Sequence, residues 1–342
     1  LREARIAFLI PGSFEYVAVQ WGVWRAGGIA VPLSVGAKEP ELEHVFTDAE
    51  IKVALVTEAL RHRLEGLAQR LGFELRVTDA VLSTDGDGTT TFPTLGPARR
   101  AMMLYTSGTT SKPKGVVTTH ANIEAQIKAL VEAWGWRADD RIPLFLPLHH
   151  IHGIVNVLSC ALWSGAQVEA FEAFDMDRIL ARVGEQAYTV FMAVPTIYVK
   201  LIRALEEAER EDRERWAEGF RAMRLMISGS AALPAAIHET WTRLTGQKLL
   251  ERYGMTEIGM GLSNPLHGER RPGAVGQPLP GVELRLVSEA GEVIEAEGEP
   301  GEIQIRGPSV FEEYWNLPDV TEAAFTEGWF RTGDMAVLED RY

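Results

Sequence analysis

The residues most able to do chemistry lie in one short segment, 106–115, whose sequence is Thr-Ser-Gly-Thr-Thr-Ser-Lys-Pro-Lys-Gly. It follows an apolar run at 101–105 that predicts a buried strand. Hydroxyl groups, lysine ammonium groups and backbone amides in one loop can bind a polyphosphate anion. The segment is not a Walker A loop, because Pro113 separates the lysines and denies the chain a helical N–H there. A solvated turn explains the same composition, so other motifs must decide.

A second segment, 252–259, has the sequence Arg-Tyr-Gly-Met-Thr-Glu-Ile-Gly and follows a predicted strand at 248–250. The loops after strands are where α/β sheets bind ligands. Tyr253 offers a flat face to a base, Thr256 offers a hydroxyl to a phosphate, and Glu257 offers a hard oxygen to Mg²⁺. Taken alone this is weak evidence, because many loops contain these residue types.

Two further motifs suit a nucleotide. Asp334 follows a glycine at a predicted strand end and could accept hydrogen bonds from two ribose hydroxyls, although an aspartate-capped turn is the simpler interpretation of that motif alone. The small residues at 228–234 form a turn that would let a ligand approach the backbone closely.

The histidines in the segment 147–153, Pro-Leu-His-His-Ile-His-Gly, raise the alternative of a zinc site. His149 and His152 could share one face of a helix. Zinc is disfavoured, because neither cysteine nor carboxylate occurs at the usual ligand spacing.

Composition limits the classes of function. The net charge of −14 argues against a nucleic-acid surface, and an anionic substrate would need local positive charge. Cys160 is the only cysteine, so an intrachain disulfide is excluded and a reducing compartment fits. No apolar run reaches membrane-spanning length. We expect a cytoplasmic location, or the mitochondrial matrix if the source is eukaryotic. The oligomeric state does not follow from the sequence.

Strand and helix patterns alternate through most of the chain and predict parallel strands joined by crossover helices. Apolar and polar residues then alternate around residues 282–286 and 303–305, as in antiparallel strands with one solvated face. We therefore expect an α/β fold: paired α/β lobes with mostly parallel sheets over residues 1–262, and a β-rich subdomain over residues 263–342.

Together and in this order, the motifs resemble one family, the adenylate-forming acyl-CoA synthetases, which also include luciferases and peptide-synthetase adenylation domains. The matching segments span essentially the whole chain: residues 26–33, 105–115, 147–153, 253–257, 301–307 and 329–334. Longer segments resemble the malonyl-CoA synthetase branch: residues 147–156, 192–198, 228–234, 251–257 and 276–285.

The resemblance implies that a carboxylate attacks the α-phosphate of ATP with Mg²⁺, and that the thiol of coenzyme A then displaces AMP. The implied catalytic residues are Thr109, Lys114, Thr256 and Glu257, with Thr109 and Glu257 also at the metal. The implied nucleotide-binding residues are Thr106, Ser107, Gly108, Thr110, Gly229, Ser230, Ala231, Glu251, Arg252, Tyr253, Gly254 and Asp334. The implied substrate residues are His150, Ser230, Arg252 and Met255. Ser111 departs from the family, which usually has glycine there, and we expect a modest effect on the loop.

Malonate would place a second carboxylate in a closed pocket, where an unpaired charge is costly. A fixed cation must therefore meet it, and Arg252 is the candidate, with added hydrogen bonds from His150 and Ser230. The alternative for Arg252 is a surface ion pair, for example with Glu251. Two rival functions remain: a synthetase for another short or fatty carboxylate, and a nucleotide-binding module without catalysis.

Members of the family carry a smaller C-terminal domain that supplies a further lysine. The chain ends before the expected position of that domain, so we expect the large N-terminal domain alone, binding nucleotide but turning over poorly.

Overall fold

A computed structural model describes residues 3–83, 91–106, 112–340 and 342. Strands and helices alternate at the start of the chain: β1 (Arg5–Leu9), α1 (Phe14–Arg25), β2 (Ile29–Pro32), α2 (Glu39–Asp48), β3 (Val53–Val56), a 3₁₀ helix (Glu58–Arg63), α3 (Glu65–Leu71), β4 (Glu74–Val77), α4 (Thr78–Leu82) and β5 (Arg100–Thr106).

The middle of the chain contains the longer helices. Its elements are β6 (Lys114–Thr119), α5 (His120–Trp134), β7 (Arg141–Leu144), a π-helix (His152–Ser159), α6 (Cys160–Trp163), β8 (Gln167–Ala170), α7 (Met176–Gly184), β9 (Val190–Ala193), α8 (Pro195–Glu207), α9 (Arg210–Ala222), β10 (Leu225–Ser228) and α10 (Ala235–Thr245).

The last part of the chain is mostly strand. Its elements are β11 (Leu250–Met255), β12 (Gly259–Ser263), β13 (Gln277–Pro278), β14 (Glu283–Val287), β15 (Val293–Ile294), β16 (Gly301–Arg306), β17 (Glu313–Tyr314), α11 (Pro318–Ala323), β18 (Phe325–Thr326) and β19 (Trp329–Ala336).

These elements form two compact units. The first contains Leu1–Glu124, Pro147–Ile151 and Phe311–Glu322, and the second contains Ala125–Leu146, His152–Val310 and Ala323–Tyr342. The units are therefore not contiguous in sequence. The boundary expected after residue 262 stays a prediction.

The first unit is built on a sheet that, over the described residues, has seven strands in the order β17-β6-β5-β2-β1-β3-β4. Strands β1 to β5 pair in parallel, whereas β6 pairs antiparallel with both β5 and β17. The central strands are buried along their length, as the continuous apolar run of β1 requires. Helix α1 begins where Ser13 Oγ accepts a hydrogen bond from the N–H of Tyr16 at 3.3 Å, as expected for an N-cap.

The second unit contains two larger sheets within its described residues. One has the order β13-β12-β11-β10-β9, in which β9, β10 and β11 are parallel and β11–β12 is an antiparallel hairpin. The other has the order β15-β14-β16-β19-β18 and is antiparallel throughout. The predicted α/β class, with antiparallel strands near the C-terminal end, is confirmed.

One local prediction was wrong. The motif at 252–259 was expected to be a loop after a strand, yet residues up to Met255 belong to β11 and only 256–258 form a turn. The strand continues because Arg252 and Tyr253 pair with Ser263 and Leu262 of β12. No described helix has both the length and the apolar character that a membrane crossing requires.

Candidate nucleotide and acid site

A cleft of about 780 Å³ lies within the second unit, at the ends of β10, β11 and β19. Parallel strands commonly bind ligands at their carboxyl ends, and β10 and β11 are such a pair. The lining includes many of the predicted site residues: Ser230, Ala231, Glu251, Arg252, Tyr253, Gly254 and Asp334. The fold thus brings together three motifs that are far apart in sequence.

Arg252 is the main buried cation of this cleft and is only 4% exposed. Its Nη2 donates to Ser230 Oγ at 3.3 Å, while its Nε has no hydrogen-bond partner within the described part of the chain. Among the residues that the structure describes, none supplies a carboxylate to this guanidinium, and burial lowers the pKa of Arg252 to about 9. A desolvated guanidinium without a counter-ion is stabilised when an anion binds beside it.

The backbone at Gly229 makes room for that guanidinium. A Cβ atom at Gly229 would lie 2.5 Å from Arg252 Cζ, which is closer than two non-bonded carbon atoms can approach. The next residue, Ser230, has a φ of 71°, which is unusual for a residue other than glycine and is common at functional sites. The alternative of a surface pair between Arg252 and Glu251 was wrong, because Glu251 is also buried and bonds elsewhere.

His152, for which the sequence suggests only a zinc-ligand role, contacts a residue that lines the cleft. It is 4% exposed, begins the π-helix, and its Nδ1 lies 3.1 Å from Ser230 Oγ. The two residues are 78 positions apart in sequence, so local patterns could not link them. The only signal available was the repetition of histidine in the segment 147–153.

His150, the histidine predicted to bind substrate, lies in the first unit. Its ring is 4.0 Å from that of His149, and burial lowers the pKa of both, that of His149 to about 4. Both rings are therefore neutral at pH 7. The role of His150 at the substrate stays a prediction.

The predicted base-stacking and ribose-binding residues touch each other. Tyr253 Oη donates to Asp334 Oδ2 at 2.6 Å. Burial and the Asp334 carboxylate both raise the pKa of Tyr253, so its hydroxyl stays protonated. The backbone N–H of Asp334 in turn donates to Thr332 Oγ1 at 3.1 Å. The Tyr253 hydroxyl thus holds the exposed Asp334 carboxylate at the cleft.

Thr256 and Glu257 occupy the turn between β11 and β12. Thr256 is half-buried and Glu257 is 5% exposed. A β-bulge between Tyr253 and Gly254 precedes the turn, and Gly254 packs so tightly that a Cβ there would meet the carbonyl oxygen of Gly259 at 2.1 Å.

A single buried carboxylate suits Mg²⁺ that is bound together with phosphates, since this metal keeps few protein ligands. Within the described residues, no cluster of three or more His, Cys, Asp or Glu side chains could hold a metal ion. The magnesium role of Glu257 stays a prediction. Met255, the remaining substrate candidate, is half-buried at the end of β11.

Residues 271–275 form one wall of the cleft and were not predicted from the sequence. Asn264, only 2% exposed, supports it: Nδ2 donates to the carbonyls of Glu251 and Ala274 at 3.1 and 2.6 Å, and Oδ1 accepts from the N–H of Arg271 at 3.1 Å. The Glu251 carboxylate accepts from the N–H of Gly273 at 3.0 Å. Burial raises the pKa of Glu251 to about 7, and this hydrogen bond partly opposes the shift.

The predicted phosphate loop belongs to the first unit. Ser107, Gly108, Thr109, Thr110 and Ser111 lie outside the described residues. The flanking residues are described: Thr106 ends β5, Lys114 begins β6, and the two pair across the hairpin. Lys114 Nζ lies 4.1 Å from the centre of the Tyr314 ring, in a cation–π contact.

Polar contacts from α2 hold both strands beside this loop. Tyr105 Oη donates to Asp48 Oδ2 at 2.6 Å. On the other side, His44 Nε2 lies 2.7 Å from the carbonyl oxygen of Pro113. Since these two residues of α2 are one turn apart, a single helix positions both ends of the loop.

The chain is similar to proteins of known family and structure. The family model of AMP-binding enzymes matches residues 1–315. The chain is 44% identical to the mitochondrial malonate–CoA ligase ACSF3 of Mus musculus, over 99% of this chain and 63% of the mouse protein. It is 40% identical to malonate–CoA ligase of Arabidopsis thaliana, over 100% of this chain and 59% of that protein. The chain thus spans less than two thirds of these relatives.

A solved relative shares the fold. ATP-bound MatB from Rhodopseudomonas palustris has a TM-score of 0.89 and 34% identity, with 100% of this chain and 67% of that chain covered. A malonyl-CoA ligase solved with methylmalonyl-CoA and AMP has a TM-score of 0.87 and 36% identity, with 98% and 70% covered. The chain therefore belongs to the family of AMP-binding enzymes.

Proposed function

We propose that this chain binds Mg·ATP and malonate for an AMP-forming acid–thiol ligase that makes malonyl-CoA. The observation that carries the proposal is the buried guanidinium of Arg252, which has no described carboxylate partner and lies in the same cleft as Tyr253 and Asp334. A dicarboxylate can react at one end and pair with Arg252 at the other. The similarity to proteins named malonate–CoA ligase supports the same substrate.

The chemistry requires alignment rather than a general base, because the attacking carboxylate is already an anion. Its oxygen bonds to the α-phosphorus of ATP and pyrophosphate leaves, which gives an acyl adenylate. The thiol of coenzyme A then attacks the acyl carbon and AMP leaves. The protein has to bring two anions together and absorb charge on the phosphoryl oxygens.

Each unit offers its own predicted nucleotide contacts. In the second unit, Tyr253 would stack on the base, Asp334 would bind the ribose, and Thr256 would contact the α-phosphate. Glu257 would hold Mg²⁺, which screens the phosphate charge when bound. In the first unit, Lys114 and the hydroxyls of the loop would contact the outer phosphates.

Selectivity for malonate follows from the cost of an unpaired buried charge. Acetate has no second carboxylate, and the chain of a fatty acid would cover Arg252 with apolar atoms. Both would leave the guanidinium without a counter-ion. A charge-assisted hydrogen bond contributes about 1.5–3 kcal/mol, so malonate should bind at least about tenfold more tightly than either.

Calorimetric titration of this chain tests the proposal. Mg·ATP is titrated first, and malonate, acetate and octanoate are then titrated into the chain saturated with a non-hydrolysable Mg·ATP analogue. We expect binding of the nucleotide and a clear preference for malonate. Equal affinities for the three acids would reject malonate as the specific substrate and favour a synthetase for another carboxylate.

A second measurement separates the ligase from a nucleotide-binding module without catalysis. Adenylate formation from stoichiometric chain, malonate and Mg·ATP is followed by release of labelled pyrophosphate. In a ligase, Glu257→Ala abolishes that release, because the magnesium ligand is lost. Pyrophosphate release that Glu257→Ala leaves unchanged would favour the module.

Location is open to experiment as well. The mouse relative carries a mitochondrial name, and the cytoplasm or the mitochondrial matrix stays our prediction for this chain.

A further inference from the structure

Two buried side chains outside every motif hold the turn that carries Thr256 and Glu257. Gln126 of α5 accepts a hydrogen bond at Oε1 from the backbone N–H of Met260, on the β12 side of the turn. Ser309 Oγ donates to the carbonyl oxygen of Ile258 at 2.9 Å. Gln126 is 4% exposed and Ser309 is 7% exposed, so solvent does not compete for either contact.

The contact from Gln126 depends on a glycine. Gly259 has a φ of 68°, and a Cβ atom there would lie 1.6 Å from Gln126 Oε1. Only glycine both tolerates this backbone conformation and lets the amide reach the hairpin. The hydrogen bond from the hairpin to Gln126 therefore requires glycine at position 259.

Both hydrogen bonds act at the β12 end of the turn, one at Ile258 and one at Met260. A backbone bond from the N–H of Ile258 to the carbonyl of Met255 at 3.2 Å closes the turn itself. Ile258 is fully buried, whereas Thr256 next to Glu257 is half-buried. The anchors consequently restrain the backbone from which the Thr256 and Glu257 side chains project.

We infer that Gln126 and Ser309 are positioning residues that fix the Thr256–Glu257 turn and thereby set the affinity for Mg·ATP. This rests on the proposed function, in which Thr256 contacts the α-phosphate and Glu257 holds the metal. Groups that orient a ligand residue commonly change metal affinity or activity when they are altered, although they touch neither metal nor substrate. A displacement of the turn by about 1 Å would be enough to weaken both contacts.

The experiment compares variants that remove the anchor with variants that keep it. Gln126→Met preserves most of the side-chain volume but loses the acceptor. Ser309→Ala loses the hydroxyl, and Ser309→Thr keeps it. The matched control is Thr245→Val, because Thr245 is also buried and its Oγ1 donates to the carbonyl of Trp241 at 2.8 Å, in α10.

Calorimetry then measures binding of Mg·ATP and of adenosine, which carries no phosphate, and circular dichroism measures the melting temperature. Loss of one buried hydrogen bond should weaken Mg·ATP about fivefold in Gln126→Met and Ser309→Ala, with adenosine changed less than about twofold. Ser309→Thr should retain most of the affinity. Thr245→Val should lower the melting temperature and leave Mg·ATP binding unchanged.

Folded variants that bind Mg·ATP as tightly as the parent would overturn the inference and leave the two residues a purely structural role. The inference also fails if Thr245→Val weakens Mg·ATP as much as Ser309→Ala does. A parent chain that binds neither Mg·ATP nor adenosine would instead overturn the proposed function, which is a separate result.

Discussion

Both regions with predicted nucleotide chemistry are β-hairpins, but they hold their functional residues differently. In the β5–β6 hairpin, most predicted contacts come from the loop between the strands, and the described residues are the flanks that α2 holds. In the β11–β12 hairpin, Arg252 and Tyr253 lie inside a paired strand, and only 256–258 form the turn. The sheet itself therefore positions the second set.

This difference has consequences for how each residue can be altered. A residue inside a strand takes its direction from the pleat, so neighbours point to opposite faces. Arg252 consequently meets Ser230, while Glu251 meets Gly273, and both are buried. A substitution in β11 should change both substrate specificity and stability. A substitution beside the phosphate loop should change ligand binding or stability, but not both.

The largest effect is expected at Arg252. Arg252→Ala removes the buried cation and should weaken malonate binding about a hundredfold, since losing a buried charge contact costs several kcal/mol. Mg·ATP binding should change less than about threefold by calorimetry. Arg270→Ala is the control, because the Arg270 guanidinium donates to the backbone carbonyls of Lys248 and Leu266 instead. Malonate binding that survives Arg252→Ala would remove the basis for a dicarboxylate substrate.

In the β5–β6 hairpin, a substitution should weaken Mg·ATP binding and leave malonate binding unchanged. Lys114→Ala should weaken Mg·ATP about tenfold by losing a charge-assisted contact to the outer phosphates, and should leave AMP and malonate binding unchanged. The exposed Lys52, in the same unit, serves as the control. If AMP loses affinity as much as ATP does, Lys114 does not discriminate the outer phosphates and the contrast between the hairpins disappears.

A smaller effect concerns stability and pH. The pKa of Glu251 is raised from 4.5 to about 7 by burial, so the folded state binds its proton more tightly than the unfolded chain does. The contribution of Glu251 to the free energy of unfolding is therefore fully present below pH 4.5 and is lost as the pH rises through 7.

Glu251→Gln should therefore raise the melting temperature at pH 8 by about 2 °C or more, and the gain should vanish towards pH 4.5. Thermal denaturation across that range measures it. Glu239→Gln, at an exposed position of α10, should show no such trend. A gain that is independent of pH would show that titration of Glu251 is not its cause.

The smallest effects form a matched pair, because each hairpin has a tyrosine that donates to a carboxylate at 2.6 Å. Tyr105→Phe should cost about 1 kcal/mol of folding free energy and leave adenosine binding unchanged. Tyr253→Phe keeps the ring but releases Asp334, and should weaken adenosine about threefold. Urea denaturation and adenosine titration of both variants measure the two effects. Identical behaviour of the two variants would contradict the distinction between the hairpins.

Much of the fold could be predicted because its signals are local. The apolar run at 101–105 became β5, and the alternation near residues 282–286 became the antiparallel strand β14. Ser13 capped α1 as its type and position indicate. The extent of β11 was missed because the pairing of Arg252 and Tyr253 with β12 continues the strand through polar residues and glycine.

The candidate site was predictable as a set of residue types, but not as an arrangement. Its motifs contain residue types suited to binding phosphate, base and ribose, and these residue types can be read directly from the sequence. Two supports could not be assigned from the sequence: Asn264, which holds one wall of the cleft, and His152, which contacts Ser230. Their importance comes from partners that are distant in sequence.

The amino-acid sequence by itself determined the alternation of strands and helices and the chemical groups offered at each motif, because propensity and hydrophobic period act over a few neighbouring residues. Only the tertiary structure decided that Arg252 would be buried against Gly229 without a described carboxylate beside it. Burial and the absence of a counter-ion depend on which strands the sheet places side by side, and that pairing is set by contacts across the whole unit.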